Sequence, residues 1–395
     1  MPAIDTLFDD FARTDPSPAV DGEDSFSFMN RVAQPFWGRV RDELDGWSRE
    51  YPSDAAADLR SRFRSPSPAQ HFGAWWELYL HQLSTELGYQ VEVHPELTGV
   101  TGRPDFRLTR GEEAFYIEAA TTFSGIVPDE DRHGERENWI KKAINSVRNP
   151  NFFVALDFNR VGTERPSDRE ITEPLRKWLQ GLDPNQVAAE GFAAAPELEL
   201  RPRDWDFVLR AIAVKPEARG RAGHRLLGMG PSVAGFVNDI DMMGRTLDRK
   251  RRKYGKPDEP LVFAILPMSS FIEKEDVEQA LLGRVAYQFD PHDFQRGIWV
   301  RHRNGFWRRG TAPRNTRVSA LITGTNIMPW TVAKVWPRLW RNPWAAHPLQ
   351  AELQLPEAIL SEQGTVTYSE RVGAPASLFG LPEDWPGPEQ PFEDV

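Results

Sequence analysis

From His71 to Gly88 the apolar residues of HFGAWWELYLHQLSTELG recur at 72, 75, 76, 79, 80, 83 and 87, the spacing of a helix face. Gly88 then serves as a stop signal. YQVEVHP alternates apolar and polar positions as a short strand. RPDFRLT predicts a second strand, GEE a turn, and AFYIEAATT a third strand. ENWIKKAINSVRN predicts a helix and FFVALDF, at 152–158, a buried strand. The order helix, three strands, helix, strand belongs to an α/β or α+β domain. Upstream, Phe36, Val40, Leu44 and Trp47 mark an amphipathic helix over 33–51.

The pattern continues with DWDFVLRAIAVKP (204–216) as a strand and a Gly-rich loop at 220–235. That loop lacks G-K-[ST] and is no Walker A motif. VNDIDMMGRTLDRKRRKYG predicts a helix ending at Gly255, LVFAILPM (261–268) a buried strand and EKEDVEQALLG a further helix. Between 297 and 325, GIWVRH and GFWRRG form an expected hairpin and RVSALITG a longer strand. A helix–strand unit thus occurs twice, at 137–158 and 238–268. The units build either two sheets or one extended sheet, and the lack of a clear linker favours one core. Residues 1–70 are then an N-terminal tail and helical segment, 71–290 an α/β core with an insertion around 160–235, and 291–371 a basic β-rich region. Residues 372–395, rich in Pro and acid, form an expected flexible tail.

At 395 residues, 40% hydrophobic and 27% charged, the composition is that of a soluble globular chain. No apolar run is long enough to span a membrane and no signal peptide opens the chain, so the cytoplasm is the expected compartment. The absence of cysteine excludes disulfides, thiolate nucleophiles and Cys-ligated zinc. The 8 histidines include no pair at i, i+4. A metal held by this chain is therefore expected on carboxylates, as Mg²⁺ or Mn²⁺. The net charge of −10 is unevenly spread. Phe294–Ala351 has no Asp or Glu but ten Lys and Arg, and RTLDRKRRK (245–253) is a second basic cluster. Both read as solvated surface or, with aromatics interleaved in RHRNGFWRRG, as a polyanion groove using Arg301, Arg303, Arg308 and Arg309.

Alternation along the strands puts Asp105 on a face with Arg103 and Arg107, and Glu118 on a face with Tyr116 and Ala120. A hairpin through GEE brings the two carboxylates to one end. Glu118 lies among apolar neighbours, where a carboxylate is costly unless paired or bound to a cation. Glu77, one turn from His81 on the aromatic helix, is a third candidate acid.

Helix Glu77, Pro104-Asp105-Phe106 and an apolar strand bearing Glu118 together resemble the PD-(D/E)-x-K nuclease superfamily over residues 71–158. The resemblance implies a restriction-endonuclease-like core, a mixed central sheet flanked by helices, with an added C-terminal β-rich region. It implies that Asp105, Glu118 and the Ala119 carbonyl bind a divalent cation, Mg²⁺ or Mn²⁺, and that Glu77 completes the shell or holds a metal-bound water. The implied activity is phosphodiester hydrolysis of nucleic acid, DNA ahead of RNA, in genome defence or repair. Its partners would be nucleic acid, with a second copy or a defence-system protein open. Ala120 stands where the superfamily carries Lys. Either a lysine is supplied from elsewhere, from Lys141 or Lys142 or, favoured here, Lys250 or Lys253, or the fold is kept only for binding nucleic acid or as a scaffold.

Overall fold

The computed structural model describes residues 6–20, 22–96, 102–123, 131–190, 194–214, 216, 219–220, 226–227, 239–251, 253–255, 257–268, 272–290, 293–361 and 365–388. In chain order the helices are α1 (Ser25–Arg31), α2 (Pro35–Glu50), α3 (Ser53–Phe63), α4 (Pro68–Glu86), α5 (Asp131–Asn145), α6 (Asp168–Gln180), α7 (Pro184–Glu190), α8 (Asp239–Lys250) and α9 (Lys274–Leu282). The strands are β1 (Gln90–Val93), β2 (Phe106–Arg110), β3 (Glu113–Phe123), β4 (Phe152–Arg160), β5 (Glu197–Leu200), β6 (Asp206–Ala213), β7 (Leu261–Met268), β8 (Val285–Asp290), β9 (Asp293–Arg301), β10 (Arg308–Arg309), β11 (Ala312–Pro313), β12 (Val318–Thr323), β13 (Arg338–Arg341), β14 (Glu357–Leu360) and β15 (Val366–Ser369). No helix among the described residues is long and apolar enough to cross a membrane.

The chain divides into two compact units. The first, Met1–Ala19, Glu23–Ser124 and Asn238–Phe392, holds an 8-stranded sheet in the order β1-β2-β3-β7-β12-β13-β14-β15. β1, β2 and β3 form an antiparallel meander, with Phe106 opposite Ile117. β7 runs parallel to both β3 and β12. It is buried along nearly its whole length, which is why LVFAILPM is continuously apolar rather than alternating.

Helices cover both faces of this sheet. Phe106, Leu108, Phe115, Ile117 and Ala119 face one core, with Trp75, Trp76 and Leu83 of α4. Tyr116 and Ala120 face a second core, with Met243 and Leu247 of α8 and Val277 and Leu281 of α9. The single-residue alternation of β3 therefore sends Glu118 towards the α8 side. On the other side, α4 is tied to the sheet by Trp76 Nε1, which donates to the Ala264 carbonyl at 3.0 Å.

The second unit, Val20–Gly22, Gly125–Val237 and Glu393–Val395, contains a separate antiparallel sheet of order β4-β6-β5. Ile140, Ile144, Phe152, Val154, Leu175, Trp205 and Phe207 form its core. The two helix–strand units of the sequence thus do not share a sheet. The parallel partner of β3 is β7, not the strand at 152–158, which buries Phe152 and Val154 while Phe153 between them stays half-buried. Residues 125–237 are inserted between β3 and α8.

Two further expectations are corrected. GIWVRH does not pair with GFWRRG: β9 pairs with β8, and Arg308–Arg309 turns back on Ala312–Pro313. Nor are the ends simple tails. Leu7 and Phe8 are buried, with Phe8 against Phe26 and Phe63, and Phe379 packs on Trp47 while Trp385 is buried. Acidic and proline-rich averages hid these few large apolar anchors. Most of the Gly-rich loop at 220–235 lies outside the described residues.

Candidate functional site

Glu118 sits in the middle of β3 and is 1% exposed. A lone carboxylate there would cost several kcal/mol, so its partners decide whether the fold tolerates it. They come from one face of α8 and the turn after it. Met243 and Leu247 pack into the core, and the same three-to-four-residue spacing carries on to Lys250 and Tyr254. Lys250 Nζ lies 2.6 Å from Glu118 Oε1 and 2.9 Å from the Ala119 carbonyl oxygen. Lys253 Nζ stands further off, 3.6 Å from the same Oε1, and is half exposed.

The other carboxylate oxygen, Oε2, accepts from the Tyr254 hydroxyl. That hydroxyl also lies 3.1 Å from the Arg103 carbonyl, but it has one proton, which goes to the stronger acceptor, the carboxylate. Burial, then the charge of Glu118, raises the Tyr254 phenol well above its ordinary range, so it stays a donor. The turn that presents it is fixed by Arg317 Nη1, donating to the Tyr254 and Gly255 carbonyls at 2.6 and 2.9 Å. Gly102 closes the arrangement. A Cβ there would come 2.8 Å from the Lys253 carbonyl oxygen and 3.3 Å from the Tyr254 ring, so the chain entering β2 can approach the turn after α8 this closely because it is glycine.

Asp105 follows the buried Pro104 and lies just beyond the last paired residue of β2. Its Oδ2 accepts from the Ala119 backbone N–H at 2.6 Å. The residue keeps some exposure, yet its carboxyl is enclosed by protein, and burial pushes it well above the usual range. The charges of Glu118 and then Glu77 act the same way, while Lys250 and the Ala119 N–H oppose them. Lys250 thus joins Glu118 and the Ala119 carbonyl, while Asp105, just before β2, holds the N–H of the same Ala119 and feels the charges of Glu118 and Lys250.

Glu77 lies on α4 beside α3. Both of its oxygens are clamped by Arg62 of α3, at 2.8 and 2.7 Å. It acts on Asp105 through its charge rather than by reaching the Glu118 oxygens. His81, one turn on, is buried against Tyr51 and Phe106 with Nδ1 unpartnered, and burial lowers it to about 4. It stands as a neutral packing residue. Among the described residues no group of three or more His, Asp or Glu is arranged to hold a metal by side chains alone.

Of the other candidate lysines, Lys141 pairs with Glu137 at 2.7 Å inside the second unit, and the Lys142 side chain lies outside the described residues. In the proposed polyanion groove, Arg301 is committed to Glu278 and to the Gly283 carbonyl. Arg303 and Arg309 are exposed, and Arg308 lies 5.9 Å from the Trp344 ring.

The sequence reading missed Arg62, which lies on a different helix from Glu77, and undervalued Tyr254. No periodicity links the first pair. Tyr254 carried a signal, since it continues the buried face of α8. Comparison of the chain with protein-family models, characterised proteins and solved structures finds no match.

Proposed function

We propose that the chain is a metal-dependent nuclease of the PD-(D/E)-x-K type, in which Lys250 of α8 does the work of the lysine absent at Ala120. The observation that carries this reading is the meeting of Lys250 Nζ with Glu118 Oε1 at 2.6 Å and the Ala119 carbonyl at 2.9 Å, beside Asp105. The element order supports it. α4, the antiparallel β1-β2-β3, α8 and the parallel β7 follow the sequence helix, three strands, helix, strand, with 125–237 as an insertion.

Asp105, Glu118 and the Ala119 carbonyl offer oxygen donors of the hard type that Mg²⁺ and Mn²⁺ take, and two carboxylates with water completing the shell suit Mg²⁺. Burial, then the charges of Glu118 and Glu77, raise the Asp105 carboxyl, and a bound cation acts against all three by favouring its charged form. Such an ion, when bound, supplies a hydroxide at neutral pH and offsets charge on the phosphate. The chain's own residues orient and hold. Tyr254 fixes one Glu118 oxygen, Arg62 fixes Glu77, and the Lys250 ammonium supplies positive charge beside the scissile group. DNA rather than RNA, and a role in genome defence or repair, rest on the resemblance alone.

Incubation of the chain with single-stranded DNA, duplex DNA and RNA in Mg²⁺ or Mn²⁺ tests the reading. Cleavage by the intact chain, lost in Glu118→Ala and reduced at least about a hundredfold in Lys250→Ala, is the expected result. Cleavage that survives Glu118→Ala removes the site. One observation favours a second reading, a nucleic-acid-binding protein without catalysis: Lys250 already satisfies both Glu118 and the Ala119 carbonyl. Salt-dependent binding without cleavage of any substrate would select it.

A further inference from the structure

Away from the carboxylates, a recess of about 260 Å³ opens between α8, α9 and the segment that follows β9. Gly244, Arg245 and Asp248 line it from α8, Gln279 and Arg284 from the α9 region, and Asn304 and Arg314 from the far wall. It joins the two basic stretches singled out in the sequence, 245–253 and the acid-free 294–351. Besides Arg284, Arg245 and Arg314 line it beside one carboxylate, Asp248, which is paired with Arg251 at 2.7 Å.

The two amides in the wall are turned the same way. Gln279 Oε1 accepts from the Val285 N–H at 3.0 Å, and Asn304 Oδ1 from the Arg284 N–H at 3.2 Å. A backbone N–H needs an oxygen, so each amide keeps its NH₂ group as the end it can offer a ligand. The recess is thus lined by donors and positive charge. Its shape depends on Gly244. A glycine inside a helix costs about 1 kcal/mol against alanine, and here nothing lies within 4 Å of where its Cβ would stand. Packing does not require this glycine; it leaves the recess open.

We propose that this recess binds a phosphate group, carried by a nucleotide or by a nucleic-acid strand. Planar, forked guanidinium groups match phosphate oxygens in charge and geometry, and the amide NH₂ groups supply further donors. The site is separate from the Glu118 cluster and holds whether or not that cluster binds a metal.

Calorimetry on the full chain in EDTA tests the inference without any divalent ion. The probes are inorganic phosphate, a nucleoside 5′-monophosphate, and one oligonucleotide with either a 5′-phosphate or a 5′-hydroxyl. Binding of at least one probe is expected, about tenfold weaker or more in Arg314→Gln. It should be lost in Gly244→Leu, which fills the recess and should fold at least as stably as the intact chain. Binding of the mononucleotide identifies a free nucleotide as the source, and a preference for the 5′-phosphorylated strand identifies a strand end. No binding of any probe, or equal affinity in the intact chain, Gly244→Leu and Arg314→Gln, would overturn the proposal.

Discussion

Lys250→Met removes the ammonium from Glu118 and keeps the aliphatic length. Glu118 has a side chain only 2% exposed and Lys250 one 17% exposed, so water cannot replace the lost partner. Breaking a buried pair from one side costs about 3–5 kcal/mol. The lower end applies here, about 3 kcal/mol, because the Tyr254 hydroxyl stays on Oε2 and Lys253 lies 3.6 Å from Oε1. For a unit of this size that is a fall in Tm of about 6–12 °C. Glu118→Gln/Lys250→Met should recover most of the loss, since neither charge is then left alone. Adding Mn²⁺ should raise the Tm of Lys250→Met more than that of the intact chain, because the metal then meets Glu118 and the Ala119 carbonyl without competition from the ammonium. At a hundred times its Kd the ion contributes about 2.7 kcal/mol. Differential scanning calorimetry with and without Mn²⁺ reads all of these. An unchanged Tm for Lys250→Met, or a double variant as unstable as the two single losses added, would refute the reasoning.

Arg62→Met strands Glu77, whose side chain is 11% exposed, and should cost about 2–3 kcal/mol in urea unfolding; Arg62→Lys should restore only part, since it cannot fork across both oxygens. Gly102→Val forces the Lys253 carbonyl and the Tyr254 ring to shift, so it should lower any activity of the site more than it lowers Tm. His81, held down to about 4 by burial, is neutral in the folded state and protonates on unfolding below its ordinary pKa of about 6.5. Its folded pKa is the lower one, so stability falls as pH drops from about 6.5 towards 4, by at most about 3 kcal/mol. His81→Phe should flatten that part of the Tm–pH curve, and an unchanged slope would contradict the assignment.

What the sequence made legible follows from period and length. α4 and α8 show helical spacing, β7 an unbroken apolar run, and β1 to β3 alternation with a two-sided turn. Asp105 and Glu118 could be paired because a short hairpin brings them together. The order of strands was not legible. FFVALDF and LVFAILPM are both apolar, and only the packing of 125–237 as its own unit shows that the second pairs with β3. The lysine facing Glu118 lies 132 positions away on another element, so nothing in the spacing along β3 points to it. Its place as the residue continuing the Met243–Leu247 face was the usable signal. Arg62 had none, because a clamp between two helices leaves no mark in either periodicity.

The central claim is that Asp105, Glu118 and the Ala119 carbonyl form a cation site. Calorimetric titration of the intact chain with Mn²⁺, beside Asp105→Ala and Glu118→Gln, tests it most directly. One saturable site in the intact chain that disappears in both variants is the predicted result. No heat at millimolar Mn²⁺, or a site that survives both substitutions, would contradict it.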